Sequence, residues 1–400
     1  MAAHPLPYPI IRLKKGKEKS LLQMHPWVFS GAIAHEPAQL QNGDLVQVQS
    51  ADGHYLATGH FNRSTISVRC IDFEGHTIDR TFLRKKLSDC ILLRKTLGLP
   101  SAATNCYRLM HGEGDGMPGM IADVYGNTVV LQCFTEGMLQ LQVMLAEIIL
   151  EEMPEIGGVY SKSAETMAKH GVAAVADDFL IKRNDYTPAE TVLENDMRFH
   201  IDFMKGQKTG FFLDQRDNRQ LLEHYSGGKT VLNTFCYTGG FSVAAIRGGA
   251  TQVSSVDSSA RAIADLHRNI ALVENASEKH DPQTKDVMAF LRNIQQDYDV
   301  IVLDPPAYAK HLNQSAKAMI GYRNLNTEGL RRLKKGGILF TFSCSQAIDK
   351  QLFRKIVFQA ALQAGRNIRV LHQLSQPPDH PVSIYHPEGE YLKGLVLYVD

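Results

Sequence analysis

From residue 214 onward, short runs rich in β-branched residues alternate with amphipathic stretches, and this alternation constrains the fold more than any other feature. Strands are expected at Thr230–Asn233, Gln252–Val256, Asp299–Leu303 and Gly337–Thr341. Helices are expected at Asp214–Tyr225, Phe241–Arg247, Ala260–Asn275, Val287–Gln295, Asn313–Leu333 and Lys350–Ala364. Such alternation predicts a parallel, doubly wound α/β sheet. Sheets of this kind bind ligands beyond the carboxyl ends of their strands, where the strand order reverses.

The residues at those strand ends carry chemistry. The first strand runs into Asn233-Thr234-Phe235-Cys236-Tyr237-Thr238-Gly239-Gly240-Phe241, where the glycines let backbone pass close to a ligand before a helix opens. The second ends in Asp257, a carboxylate able to accept both ribose hydroxyls of a nucleoside. A dinucleotide site would need G-x-G-x-x-G to meet a pyrophosphate, and T-G-G-F lacks that spacing. S-adenosylmethionine has no phosphate, so one close glycine suffices; a nicotinamide dehydrogenase is disfavoured on the same ground. Asp286 follows as a candidate for the adenine amino group. The strand at 299–303 then ends in Asp304-Pro305-Pro306-Ala307-Tyr308, the most specific motif in the chain. Its prolines stiffen the loop and offer carbonyls without competing donors, a setting suited to holding a planar base.

The remainder is organised differently. Residues 1–74 read as short strands (Pro9–Lys14, Leu45–Gln49, Tyr55–Phe61, Ile66–Asp72) with turns at Asn42-Gly43-Asp44 and Asp52-Gly53, which suggests a small β-barrel. Residues 81–97 carry a helical pattern. Residues 105–190 read as α+β, with strands at Tyr107–Met110, Gly119–Tyr125 and Thr128–Phe134 and an apolar helix at Met138–Met153. The glycine-rich stretch His111–Gly119 is not followed by a helix, so it reads as a multi-turn connection rather than a phosphate loop. Thr191–Glu194 and Met197–Phe203 flank Asn195-Asp196 as a β-hairpin.

Composition narrows the function. Hydrophobic residues make up 44% and charged residues 21%, an ordinary globular balance, and no apolar run nears the length of a membrane span. The N-terminal residues lack a charged segment followed by a long apolar one, so a cytoplasmic protein is expected. The six cysteines form no CxxC pair and no zinc-spaced cluster with histidine, so no metal is expected. Net charge is only +1, but residues 1–100 hold 13 Lys and Arg against 8 Asp and Glu. The densest basic run, Arg12 to Lys19, is a solvated face or a phosphate-contacting strand.

Several stretches together resemble the bacterial 23S ribosomal RNA 5-methylcytosine methyltransferases of the RlmI type, over nearly all 400 residues. They are His25 to Ile33, Tyr107 to Glu113, Lys208 to Arg216, Asn233 to Phe241, Asp304-Pro305-Pro306, Phe342-Ser343-Cys344-Ser345 and Pro387 to Gly394. The resemblance implies a PUA RNA-binding domain at 1–74, a central α+β domain at 75–190 and a Rossmann-like class I methyltransferase domain at 191–400. It implies S-adenosyl-L-methionine as cofactor, with Thr209, Phe211, Asp214, Arg216, Asn233, Phe235, Tyr237, Gly239, Asp257, Asp286 and Asp304 around it. It also implies 23S ribosomal RNA as partner, naked or in an assembly intermediate; a homodimer stays open. Pro305, Pro306 and Tyr308 would meet the base, and Lys14, Lys15, Lys17, Lys19, Arg63 and Arg69 the phosphates. Trp27, the only tryptophan, reads as a packing residue rather than a stacking platform.

Methylating cytosine C5 needs a thiolate to add at C6, because C5 is otherwise a poor nucleophile. Cys344 lies just past the strand at 337–341, which should neighbour the strand ending in Asp304. Cys344 is therefore expected as nucleophile and Asp304 as the partner of N3, which needs a proton there. Cys236, in the cofactor loop, is expected to pack. Related chemistry elsewhere uses a second cysteine just after Asp-Pro; Pro306 and Ala307 stand there, so the base that removes the C5 proton is unassigned. The rivals are an amino-group or guanine methyltransferase built on the Asp304–Tyr308 loop, and a non-catalytic RNA-binding protein with a relict cofactor fold.

Overall fold

The computed structural model describes residues 6–172, 175–308 and 315–400. These divide into two compact units. The first comprises Met1–Val192, Ile201–Phe211 and Pro378–Gly389; the second comprises Leu193–His200, Phe212–Pro377 and Glu390–Asp400.

The first unit holds two sheets. One has six strands in the spatial order Trp27–Phe29, Ile66–Asp72, Tyr55–Phe61, Leu45–Gln49, Ile10–Leu13, Ile33–His35. Gly53 takes left-handed backbone at the turn that joins Leu45–Gln49 to Tyr55–Phe61, and Gly43 does so in the turn that leads into Leu45–Gln49. Alternate residues Ile11, Leu13, Val46, Val48, Ala57, Phe61 and Val68 fill its core. The other sheet has five strands, Cys106–His111, Met120–Tyr125, Thr128–Cys133, Gly158–Ser161 and Asp178–Lys182. Helices Arg80–Thr96 and Glu136–Glu152 pack in the same core, and each is N-capped: Asp79 accepts from the Phe82 N–H, and Thr135 from the Met138 N–H. The His111–Gly119 stretch is a multi-turn connection, as its spacing predicts. It makes one 3-10 turn, Gly112–Asp115, and puts Gly112, Gly116 and Gly119 at positive φ.

The second unit is a seven-stranded sheet in the order His280–Thr284, Gln252–Asp257, Thr230–Thr234, Tyr298–Leu303, Leu333–Ser343, Lys393–Val399, Ile368–Leu374. The first five are parallel, and the last two pair antiparallel with their neighbours. The expected parallel sheet is present, and the strands Lys393–Val399 and Ile368–Leu374 add an antiparallel end to it. The order reverses between Thr230–Thr234 and Tyr298–Leu303, which fixes the ligand-binding crevice at their carboxyl ends.

Boundaries shift at several points. The helix expected over 260–275 is Ala260–Ile270, and the chain then turns through Asn275 at φ +54°. The hairpin's second strand is Met197–Phe199 and stops short of Phe203. Both turn residues, Asn195 and Asp196, adopt positive φ, the geometry of a two-residue hairpin turn. The long helix is described as Ser315–Arg331; its expected start at Asn313 lies outside the described residues.

Candidate functional site

The crevice is built by loops of the second unit. After Thr230–Thr234 the backbone alternates into left-handed space: Phe235 at φ +52°, Tyr237 at +47° and Gly239 at +84°. For the two aromatics this costs about 1–2 kcal/mol each, strain that collects where backbone must meet a ligand. A Cβ on Gly239 would come within 2.9 Å of Leu266 Cγ, so only glycine fits.

Asp257 ties this loop down. Its Oδ2 accepts from the Tyr237 N–H at 3.0 Å and its Oδ1 from the Ser259 N–H at 2.9 Å. Each oxygen keeps a second lone pair for ribose hydroxyls. Asn269 donates to the Thr238 carbonyl at 2.8 Å from the helix behind. Asn233 heads a buried chain: its Nδ2 donates to Ser242 Oγ, which bonds Ser255 Oγ, which bonds His280 Nε2, at 2.8, 2.7 and 2.8 Å. Burial brings the His280 imidazole down to about 4, so the chain stays uncharged. Asn233 Oδ1 is buried with no partner among the described residues. Asp286 is exposed and caps the helix Val287–Asn293, accepting from the Ala289 N–H at 2.8 Å.

The other wall comes from Tyr298–Leu303 and Leu333–Ser343. Leu303 pairs with Thr341, so Asp304 and Cys344 both fall just beyond the carboxyl ends of adjacent strands. Gln215 donates to Asp304 Oδ2 at 3.1 Å, and Asn218 donates to Gln215 Oε1 at 2.6 Å, which fixes the amide's direction. Asp214 accepts from the Tyr391 hydroxyl at 2.7 Å, and Arg216 is buried at the head of the following helix. The Phe212 ring stands edge-on to Tyr237 at 5.1 Å. Pro305 is buried and Pro306 exposed, while the Tyr308 ring lies 4.7 Å from that of Tyr322. Thr209 and Phe211 belong to the first unit, where the Thr209 hydroxyl donates to Asp123 at 2.6 Å.

Cysteine environments separate sharply. Cys344 is the one cysteine of six that is not fully buried. Burial pushes the thiols of Cys70, Cys90, Cys133 and Cys236 up, and at Cys236 the nearby Asp257 adds to the effect. Those thiols are inert near neutral pH.

Both the sequence and the fold have known relatives. Residues 168–392 match the family model of S-adenosylmethionine-dependent methyltransferases, and residues 11–73 match that of PUA-like domains. The ribosomal RNA large subunit methyltransferase I of Shewanella frigidimarina is 38% identical, over 97% of this chain and 99% of that one. Its counterpart in Klebsiella pneumoniae is 35% identical, over 98% of each. The chain belongs to this methyltransferase family.

Two solved structures share the fold. A chain described as a SAM-dependent methyltransferase from Streptococcus mutans superposes with a TM-score of 0.82 at 24% identity, covering 98% of this chain and all of that one. A methyltransferase complexed with SAH gives 0.83 with the same identity and coverage. S-adenosylmethionine is thus the cofactor of this methyltransferase, and the crevice fits it. The strained glycine loop, the orphaned Asn233 acceptor and the Asp257 carboxylate suit an uncharged adenosine, and the loop lacks the spacing a pyrophosphate needs.

The basic residues of the methyltransferase's PUA-like domain differ in availability. Lys15, Lys17 and Lys19 are exposed, and exposed Lys14 donates to the Gly31 carbonyl at 3.0 Å. Arg63 spends its guanidinium on Glu36 and the Leu40 carbonyl, and Arg69 lies over the Trp27 ring at 5.9 Å. Trp27 packs, its Nε1 donating to Glu113 at 2.9 Å and its ring against His386. Sequence reading assigned no role to Gln215, Tyr391 or Lys393, although all three lie in the stretches that carry the family resemblance.

Proposed function

We propose that this methyltransferase forms 5-methylcytosine in 23S ribosomal RNA, with Cys344 as nucleophile and Asp304 at N3 of the base. The observation that carries the reading is the position of the chain's single accessible thiol, one strand over from Asp304 at the sheet's switch-point edge. Bound S-adenosylmethionine supplies the methyl group from its sulfonium. Cys344 Sγ forms a bond to C6, and the electron pair of the C5–C6 double bond makes C5 nucleophilic. Asp304, oriented by Gln215, shares a proton with N3 and so absorbs the charge that develops in the ring. A base then takes the C5 proton, the electron pair of that C–H bond restores the C5–C6 double bond, and the C6–S bond breaks to release the thiolate. The target base must be unstacked to enter the crevice, beside Pro305, Pro306 and Tyr308.

In this reading the PUA-like domain at 1–74 grips RNA and the domain at 191–400 does the chemistry, with the central α+β domain at 75–190 between them in sequence, in the cytoplasm. Among the described residues no helix is long and apolar enough to cross a membrane. On this reading Asp214, Arg216, Asn233, Phe235, Tyr237, Gly239, Asp257, Asp286 and Asp304 of the second unit bind the cofactor.

Replacing Cys344 by Ser tests the reading, with methyl transfer to ribosomal RNA and mapping of 5-methylcytosine as readouts. Loss of at least about 1,000-fold is expected, because a serine hydroxyl is far less nucleophilic than a thiolate. Undiminished methylation in Cys344→Ser would favour transfer to an exocyclic amine by the Asp304–Tyr308 loop instead.

A further inference from the structure

The reading above needs Cys344 to ionise near neutral pH, and the second unit contains a group suited to that task. Lys393 begins the strand Lys393–Val399 and pairs with Ser343 across the antiparallel ladder, next to Cys344 in sequence. Its side chain is buried, at 4% exposure. Nζ donates to the Ser345 carbonyl at 2.7 Å and to the Tyr391 carbonyl at 2.7 Å. The ammonium is therefore clamped to the turn that carries the thiol and to the approach of its own strand.

Nothing in these two bonds requires a charge. An amide or a hydroxyl could serve carbonyls without the cost of burying an ammonium. Burial lowers the Lys393 pKa to about 8, and Cys344 comes first among the neighbours that oppose that shift, ahead of Asp349 and Glu390; Lys350 acts the other way. Tyr322, bonded to Ser345 Oγ at 2.9 Å, flanks the same turn, and its hydroxyl stays protonated because burial raises its pKa. Lys393 is thus the buried cation beside the turn.

We propose that Lys393 is the positioning residue that activates Cys344, holding it as a thiolate in a thiolate–ammonium pair. This rests on Cys344 being the nucleophile. The step is an ionisation: the Sγ–H bond breaks and the proton passes to solvent, so that the thiolate forms beside an Nζ that is already an ammonium and the net charge of the pair falls from +1 to 0. When Sγ adds to the base, the ammonium remains, and it favours expulsion of the thiolate at the end of the cycle.

Two measurements on the full-length protein test this without methyl transfer. The first is thiolate absorbance against pH, taken as wild type minus Cys344→Ser. A midpoint at least one unit below the ordinary thiol value of about 8.5 is expected. A midpoint at or above 8.5 overturns the proposal and needs no lysine variant. The second is the rate of iodoacetamide alkylation of Cys344 against pH, with the buried cysteines as internal controls. Lys393→Met should raise the midpoint by one unit or more, and Lys393→Arg, which keeps the cation, should hold it below that of Lys393→Met. Equal midpoints in wild type and Lys393→Met would refute the pairing. The nucleophile reading fails separately, if Cys344→Ser methylates RNA normally. A shifted midpoint together with an active Cys344→Ser enzyme would leave the ion pair standing but remove its role in the reaction, and so overturn the proposal as stated.

Discussion

At the scale of single residues, the loop proposed to meet the cofactor trades stability for shape. Gly239 is the position where the two demands are most separable, because its backbone is left-handed and its missing Cβ faces Leu266. Gly239→Val should cost more than the roughly 1–2 kcal/mol of left-handed strain, since a β-branched side chain also meets Leu266. Differential scanning calorimetry should register the lower stability. Titration calorimetry should find S-adenosylmethionine binding at least tenfold weaker. Unchanged affinity would remove the loop from the cofactor site. The strand-end residues Asp257, Asp304 and Cys344 could be read from sequence because a parallel sheet delivers every carboxyl end to one edge. Their supports could not. Gln215 reaches Asp304 across 89 positions, Tyr391 reaches Asp214 across 177, and Lys393 reaches Ser345 across 48. Periodicity says nothing about pairs so far apart.

At the scale of elements, the hairpin before the sheet is fastened by one buried ion pair. Arg219, on the helix Arg216–Tyr225, donates to both oxygens of Glu194 at 2.6 Å, and both side chains are almost wholly buried. It also holds the Phe212 carbonyl at 3.0 Å, just before Asp214. Removing one partner strands a charge, so Glu194→Leu or Arg219→Met alone should cost about 3–5 kcal/mol in urea denaturation. The double variant Glu194→Leu/Arg219→Met should cost clearly less than either single variant, because no charge is left unpaired. Additive effects would contradict this account. The edge elements are where periodicity fails. His280–Thr284 reads His-Asp-Pro-Gln-Thr, polar and proline-containing, yet it is a strand because it sits at the sheet's edge. Trp27–Phe29 and Ile33–His35, three residues each, are too short to show an alternation. Interior strands, buried on both faces, stand out in the sequence as apolar runs.

At the scale of the whole molecule, a net charge of +1 cannot by itself draw the chain to RNA. Attraction must be local, and the exposed lysines at 15, 17 and 19 are its proposed source. Exchanging each for alanine should flatten the dependence of log K on log salt by about 0.7–0.9 for every phosphate no longer neutralised. Filter binding of ribosomal RNA fragments across a salt series checks this. An unchanged slope in the triple variant would place the RNA-binding surface elsewhere. The same scale gives the antiparallel end of the sheet a further meaning. Lys393–Val399 lies between Leu333–Ser343 and Ile368–Leu374, although it follows both in the chain. During synthesis, then, Cys344 leaves the ribosome some fifty residues before the lysine proposed to activate it, and the gap beside its strand stays open until that lysine arrives. On that pairing, a growing chain carries only an ordinary thiol, and the reactive one is made by the act of finishing the sheet.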